Sequence, residues 1–182
     1  MEYKVSVVIP VYKVEKFIER CVRSLMEQTM GGVEYIFVDD ASPDNSIQIL
    51  RKVLYDYSER SNHVKILKHA ENKGLPAARN TGLAVASGEY VFHCDSDDFV
   101  EKDLLSTLYE TACREKADIV WCDYYISYPN NERYLKQPFY DTPEAAMKGM
   151  LHGRMKYNVW NKLVKRSLYT DYDISFPAGY AM

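Results

Sequence analysis

Apolar and polar positions along the chain change period repeatedly, and the changes delimit alternating strands and helices. Val5-Ser6-Val7-Val8-Ile9-Pro10-Val11 is a nearly continuous apolar run, the pattern of a strand covered on both faces in a parallel sheet. Pro10 cannot donate to a ladder, so the strand is expected to end near it. Val14, Phe17, Ile18, Cys21, Val22, Leu25 and Met26 then recur at spacings of three and four with charged residues between them. That spacing predicts an amphipathic helix closing near Gly31-Gly32. Tyr35-Ile36-Phe37-Val38 reads as a second strand running into Asp39-Asp40. Ser42-Pro43 predicts the next helix start, a cap followed by proline at the first helical position, and Ile47, Leu50, Leu54 and Tyr57 supply its apolar stripe.

Residues 64–67 form a third candidate strand, Asn72-Lys73-Gly74 a turn, and residues 75–86 a helix carrying Arg79 and Asn80 that stops before Gly88. Tyr90-Val91-Phe92-His93 is a fourth strand, short and apolar, ending at the first acid. A helix marked by Leu104, Leu105, Leu108, Tyr109 and Ala112 follows, then a strand over 119–128 and a polar loop over 130–136. Thr142-Pro143-Glu144 repeats the cap-then-proline signal and starts a short helix ending near Gly149 or His152, after which the pattern weakens. Strand and helix alternate through residue 117, which predicts an α/β fold: a Rossmann-like, mostly parallel sheet with helices on both faces.

Composition narrows the class. A chain of 182 residues with 47% hydrophobic content is long enough for one domain with a real core. The formal charge of −3 provides no general basic field, so a nucleic-acid partner is not expected. No apolar run approaches the about 20 residues that span a bilayer, and the N-terminus lacks a signal-peptide pattern, which points to a cytoplasmic protein with peripheral membrane contact left open. Cys21, Cys94, Cys113 and Cys122 lack C-x-x-C spacing and read as reduced core residues. The 16 tyrosines suit a carbohydrate or nucleobase site, but are equally ordinary at half-buried positions.

The candidate chemistry gathers at strand ends. Asp95-Ser96-Asp97-Asp98 follows the fourth strand, and extended backbone would turn Asp95 and Asp97 to one side, where their repulsion calls for a cation. Mg²⁺ or Mn²⁺ takes one or two protein carboxylates and leaves its other positions to water and phosphate; an acidic turn, or a helix start capped by Asp98, is the alternative. In an open parallel sheet ligands bind outside the carboxyl ends of the strands. Pro10 and Tyr12, Asp39 and Asp40, and Asp95 to Asp98 are all delivered to that edge. Tyr12 is either a stacking platform or a rim residue; Asp39 and Asp40 either accept hydrogen bonds from a nucleoside or form an acidic turn. His93 reads as a structural strand histidine. Lys162, Lys165 and Arg166 either meet phosphate or a membrane surface, or form a solvated helix end.

Taken together, Val7-Val8-Ile9-Pro10-Val11-Tyr12, Val38-Asp39-Asp40-Ala41-Ser42-Pro43-Asp44, Asn72-Lys73-Gly74-Leu75, Ala77-Ala78-Arg79-Asn80-Thr81-Gly82, Gly88-Glu89-Tyr90 and Asp95-Ser96-Asp97-Asp98 resemble the family 2 glycosyltransferases of the GT-A fold. Val159-Trp160-Asn161-Lys162-Leu163, followed by Lys165-Arg166-Ser167-Leu168, is similar to a later block of bacterial polysaccharide members. The resemblance implies a nucleotide-sugar-binding half over 1–100 and an acceptor-side half over 101–182. It implies that Pro10 and Tyr12 line the nucleobase pocket, with Asp40 and its neighbour Asp39 holding the base. Arg79 would lie near the diphosphate or ribose, Asp95 and Ser96 near ribose and phosphates, and Asp97 would be the main ligand of Mg²⁺ or Mn²⁺. Trp160 and Lys162 would face the acceptor, although Trp160 fits a core position as well.

The activity so implied is inverting transfer of a sugar from a nucleotide-diphosphate donor to a hydroxyl of a saccharide or lipid-linked saccharide, in cell-surface polysaccharide synthesis. Location would be cytoplasmic, at the inner face of the membrane for a lipid-linked acceptor, and a homodimer is left open. The family's catalytic base follows a segment like Phe176-Pro177-Ala178-Gly179, so the base is expected beyond Met182 and the C-terminal part is expected to be incomplete. Asp171 and Asp173 precede that segment and are not assigned. Lys13 stands where the family commonly has Asn. Two other readings remain: a non-catalytic sugar-nucleotide binding module, and a phosphohydrolase, whose Asp-x-Asp motif belongs near a first strand and before Thr rather than Asp98-Phe99.

Overall fold

The computed structural model describes residues 3–128 and 130–177. A six-stranded sheet forms its centre, in the order β3-β2-β1-β4-β8-β5. The strands are β1 (Val5–Val11), β2 (Val33–Asp39), β3 (Val64–Lys68), β4 (Tyr90–His93), β5 (Ile119–Trp121) and β8 (Lys162–Lys165); β6 (Tyr124–Tyr128) and β7 (Asn131–Leu135) make a separate hairpin. β1 pairs in parallel with both β2 and β4, and β2 with β3, whereas β8 runs antiparallel between β4 and β5. The helices are α1 (Ile18–Met26), α2 (Ser46–Tyr55), α3 (Leu75–Val85), α4 (Leu104–Glu115), α5 (Pro143–Leu151) and α6 (Arg166–Asp171).

Alternation of side chains across the sheet makes two apolar layers. Val5, Val7, Ile9, Val11, Tyr35, Phe37 and Phe92 pack with α1, α2 and α4 through Ile18, Val22, Leu50, Leu105 and Leu108. On the opposite face Val8, Ile36, Val38 and Val91 pack with Ala78 and Leu83 of α3 and Tyr169 of α6. Each large side chain removed from water contributes about 2 kcal/mol, so both faces of β1 and β2 drive folding. α3 lies tight on the sheet because Gly82 faces Val8: a Cβ there would intrude on Val8 Cγ1.

The alternating elements expected through residue 117 are present, and the mixed α/β class with a mostly parallel sheet stands. Local details differ. α2 starts at Ser46 with Asn45 before it, not at Ser42-Pro43, because the Ser42 hydroxyl is used by Asp44 and by the Lys13 N–H instead. α1 ends at Met26 rather than near Gly31-Gly32. The strand expected over 119–128 is two: β5 joins the sheet, and β6 turns back on β7, which occupies the expected loop. Polar strands on an exposed hairpin lack the buried face that gives alternation its signal. The Thr142 cap is as expected, its Oγ1 accepting from the Ala145 N–H at 3.2 Å. Cys21 and Cys94 are buried and Cys122 partly so, but Cys113 is exposed on α4, outside the core.

Candidate active site

Strand order decides what can meet. Because β1 lies between β2 and β4, with Val11 opposite Asp39 and Val8 opposite His93, the tips of the three strands share one edge. The Asp40 N–H donates to the Val11 carbonyl, and the Cys94 N–H to the Val8 carbonyl, each at 3.0 Å. β8 runs the other way, with Leu163 opposite Phe92, so Trp160, Asn161 and Lys162 reach this edge from the far side of β4.

At the end of β1, Pro10 is buried and Tyr12 is 39% exposed. The Lys13 ammonium lies 5.1 Å from the Tyr12 ring centroid, and Lys13 itself has φ of 56°. The loop is tied to the one after β2: the N–H groups of Lys13, Val14 and Glu15 donate to Ser42 Oγ, Ser46 Oγ and Asp44 Oδ2 at 2.8, 3.0 and 3.0 Å. Desolvation acts to raise the Asp44 carboxyl, but hydrogen bonds from Ser42, Ser46 and two backbone N–H groups outweigh it and hold it at about 2. A cleft of about 410 Å³ beside these loops is lined by Lys13, Glu15, Lys16, Phe17, Pro43 and Asp44; Asp39, Asp95 and Asp97 do not line it.

Asp39 and Asp40 are both buried, with different partners. Asp39 Oδ1 accepts from the Ser42 N–H at 2.8 Å, and its Oδ2 has no protein donor among the described residues. Asp40 is fully engaged. Oδ1 lies 2.6 Å from His69 Nδ1 and accepts from the Lys73 N–H at 2.8 Å, while Oδ2 accepts from the Gly74 N–H at 2.8 Å. Gly74, with φ of 85°, stands just before α3, so Asp40 fixes the start of that helix. His69 Nε2 lies 2.8 Å from Thr81 Oγ1, bracing the same helix about two turns on. Sequence patterning missed His69, which lies just past β3 and carries no periodic signal.

α3 then carries Arg79 to the end of β4, where Nη2 donates to Asp95 Oδ1 at 2.7 Å. Arg79 is buried, and its Nε has no partner among the described residues. β4 ends at His93, and residues 95–98 form a turn closed by the Asp98 N–H donating to the Asp95 carbonyl at 3.1 Å. The acids are therefore gathered by a turn rather than by alternation along an extended strand, and α4 is preceded by Asp103, not capped by Asp98. Asp95 is partly exposed, Ser96 buried, Asp97 and Asp98 at the surface. Although Asp98 as a whole is exposed, its carboxyl group is partly shielded, and this desolvation, then the charges of Asp97 and Asp95, push the Asp98 carboxyl up to about 6. That mutual repulsion is what a cation would relieve.

Among the described residues no group of three or more His, Cys, Asp or Glu side chains is arranged to enclose a metal. An acid turn of this kind fits Mg²⁺ or Mn²⁺, which keep most positions for water and phosphate oxygens. Trp160 packs edge-on against Tyr124 with ring centroids 4.7 Å apart. Lys162 is buried, its ammonium donating to the carbonyls of Lys156 and Asn158 and to Asn161 Oδ1, and burial pushes it down to about 8. Lys165 pairs with Asp118, and Arg166 Nε donates to the Gly88 carbonyl. His93 is fully buried between Tyr169 and Phe176. Ala178 and Gly179 lie outside the described residues. No helix among the described residues is long and apolar enough to cross a membrane.

The model of glycosyl transferase family 2 matches residues 6–177. EpsH of Bacillus subtilis (strain 168), provisionally named a glycosyltransferase, is 35% identical over 178 residues, 95% of this chain and 50% of EpsH. Staphylococcus aureus TarS 1–349, solved in complex with UDP-GlcNAc, has a TM-score of 0.79 at 26% identity over 96% of this chain and 49% of that one. The mannosyltransferase PcManGT of Pyrobaculum calidifontis, solved with GDP-Man and Mn²⁺, shares the fold with a TM-score of 0.69 at 18% identity, over 97% of this chain and 48% of that one. The chain spans about half the length of the curated relatives it matches.

Proposed function

The chain belongs to glycosyl transferase family 2, and on that footing we propose that it takes part in inverting transfer of a sugar from a nucleotide-diphosphate donor to an acceptor hydroxyl, in cell-surface polysaccharide synthesis. The observation that carries this reading is the meeting of the Asp39-Asp40 tip of β2 with the Arg79–Asp95 pair and the Asp97 turn across the tip of β1. The donor classes found with TarS and PcManGT, UDP- and GDP-sugars, support it.

Residues 1–100 hold the donor and residues 101–182 face the acceptor. Pro10 and Tyr12 form the wall on which the base stacks. Asp39 offers its free Oδ2 to a base N–H or ribose hydroxyl, while Asp40 acts beside it by fixing the approach to α3. Arg79 occupies one oxygen of Asp95 and so aims the other toward the ribose, with Ser96 at the phosphates. Asp97 would hold Mg²⁺ or Mn²⁺, which when bound supplies Lewis-acid neutralisation of the departing diphosphate. Trp160 and Lys162 bound the acceptor side, Lys162 by bracing residues 156–161 from beneath. No residue among those described is assigned as the base that accepts the hydroxyl proton. A lipid-linked acceptor would bring the protein to the inner face of the membrane.

Isothermal titration of UDP and GDP with Mn²⁺, with release of UDP or GDP from the corresponding nucleotide sugars measured in the presence of saccharide and lipid-linked saccharide acceptors, tests this. Binding of one nucleotide with donor-dependent release is expected. Binding without release would mark a non-catalytic binding module, and no binding of either nucleotide would end the proposal.

A further inference from the structure

The Asn80 side chain sits on α3 next to Arg79 and makes a paired bond with the backbone of one distant residue. Its Nδ2 donates to the Phe176 carbonyl at 2.8 Å, and its Oδ1 accepts from the Phe176 N–H at 2.8 Å. A single amide thus satisfies both polar groups of a residue 96 positions away, as a partner strand would. The Phe176 ring then covers two buried polar side chains at the candidate site. Its centroid is 5.5 Å from the Arg79 guanidinium carbon and 5.0 Å from the His93 ring centroid. Arg79 Nε and both His93 nitrogens are buried without partners among the described residues. Other ties between residues 172–177 and the body are few: the Ile174 N–H donates to the Tyr169 carbonyl at 3.0 Å, and Ser175 and Pro177 are exposed.

The cation–π contact with Arg79 and the edge-on contact with His93 favour the ring's place, but they leave these polar atoms without hydrogen bonds and give the backbone of this segment little reason to settle in one register. The amide latch supplies the reason. It is directional, it fixes both ends of one peptide unit, and it is mounted on the same helix turn as the arginine that orients Asp95. We infer that Asn80 is a positioning residue: acting through Phe176, it locks the acceptor-side chain at 176–177 in register with the Arg79–Asp95 pair, so that donor and acceptor halves meet at a set distance. This deepens the proposed function and rests on it. Loss of such alignment acts on turnover more than on donor binding, since a misplacement of about 1 Å costs roughly 100-fold in rate, whereas Asn80 itself makes no contact with Asp39, Asp95 or Asp97 among the described hydrogen bonds.

The test uses the whole protein with the UDP- or GDP-sugar and the saccharide acceptor between which it transfers fastest, comparing the parent with Asn80→Ala. The expected result is a kcat lowered by about tenfold or more, with the Kd for the matching nucleoside diphosphate and Mn²⁺ within about twofold of the parent. Hydrogen exchange of the peptide covering residues 174–177 should speed up in the variant and slow again in no concentration of nucleotide. Should Asn80→Ala melt below the assay temperature, Asn80→Asp takes its place: it keeps the acceptor for the Phe176 N–H, loses the donor to the carbonyl, and should show the same split. Parental kcat in either variant, or a fall in nucleotide affinity that matches the fall in kcat, overturns the positioning role while leaving the transferase reading intact. A parent that binds neither UDP nor GDP overturns both.

Discussion

Arg79 Nη2 donates to Asp95 Oδ1 at 2.7 Å, joining α3 to the turn that follows β4. The pair is shielded on the arginine side and open to solvent on the aspartate side, with side-chain exposures of 7% and 26%. Arg79→Met keeps the side-chain bulk but strands the carboxylate next to Asp97 and Asp98. A loss of about 1–2 kcal/mol is expected from urea unfolding, less than for a fully buried pair because the aspartate is open to solvent, together with weaker nucleotide binding. An unchanged midpoint would show that solvent already screens the pair.

Asp97 is at the surface and makes no side-chain bond among the described residues. Asp97→Ala is therefore expected to leave stability within about 0.5 kcal/mol of the parent. It should remove the Mn²⁺-dependent part of UDP or GDP binding. Titrations with and without Mn²⁺ decide the matter, and an Mn²⁺ dependence equal to the parent's would take Asp97 out of the metal role.

Asp40 carries three protein donors or ring contacts, at His69, Lys73 and Gly74. Asp40→Ala leaves two backbone N–H groups unmatched at the start of α3, and about 2–4 kcal/mol of stability should go with them. Nucleoside binding without metal should weaken as well, because the helix that carries Arg79 is no longer fixed. A variant of parental stability would refute the anchoring role.

Gly82→Ala places a methyl group against Val8, a β-branched side chain with little freedom to move. α3 must then shift off the sheet. A cost of about 1–3 kcal/mol is expected in chemical denaturation, with Arg79 and Asp95 drawn apart. Unaltered stability would mean that the helix has slack at this contact.

His93 is held neutral by burial, with the Arg79 charge adding to the effect, and its imidazole is pushed down to about 3. Between pH about 6.5 and 3 the unfolded chain binds this proton and the native protein does not. The native state accordingly loses up to about 1.4 kcal/mol for each unit that pH falls through this window, and gains nothing further above it. His93→Leu should flatten that slope in urea midpoints measured from pH 7 to 5. An identical slope in both proteins would assign the pH dependence to other groups.

How far the site was legible depended on the kind of signal. Asp39, Asp40 and Asp95 stand at the ends of short apolar runs, and in a parallel sheet such runs end at the edge where ligands bind, so their place there could be read directly. His69 and Phe176 could not. Each acts through contacts with residues distant in the chain, and such contacts have no period. The Asp95 turn was misread as extended backbone because three acids in four residues look alike in either conformation.

By itself, the order of residues determined the alternating elements, the two-faced burial of β1 and β2, and the acids at the strand tips, because each follows from the local spacing of apolar side chains. Only the folded chain decided that β8 enters antiparallel beside β4, that Asp40 is spent on the start of α3, that Arg79 pairs with Asp95, and that Asn80 grips Phe176. Those outcomes depend on which segments pack together across the sheet, and the energy that selects them comes from shared burial and matched hydrogen bonds between distant residues.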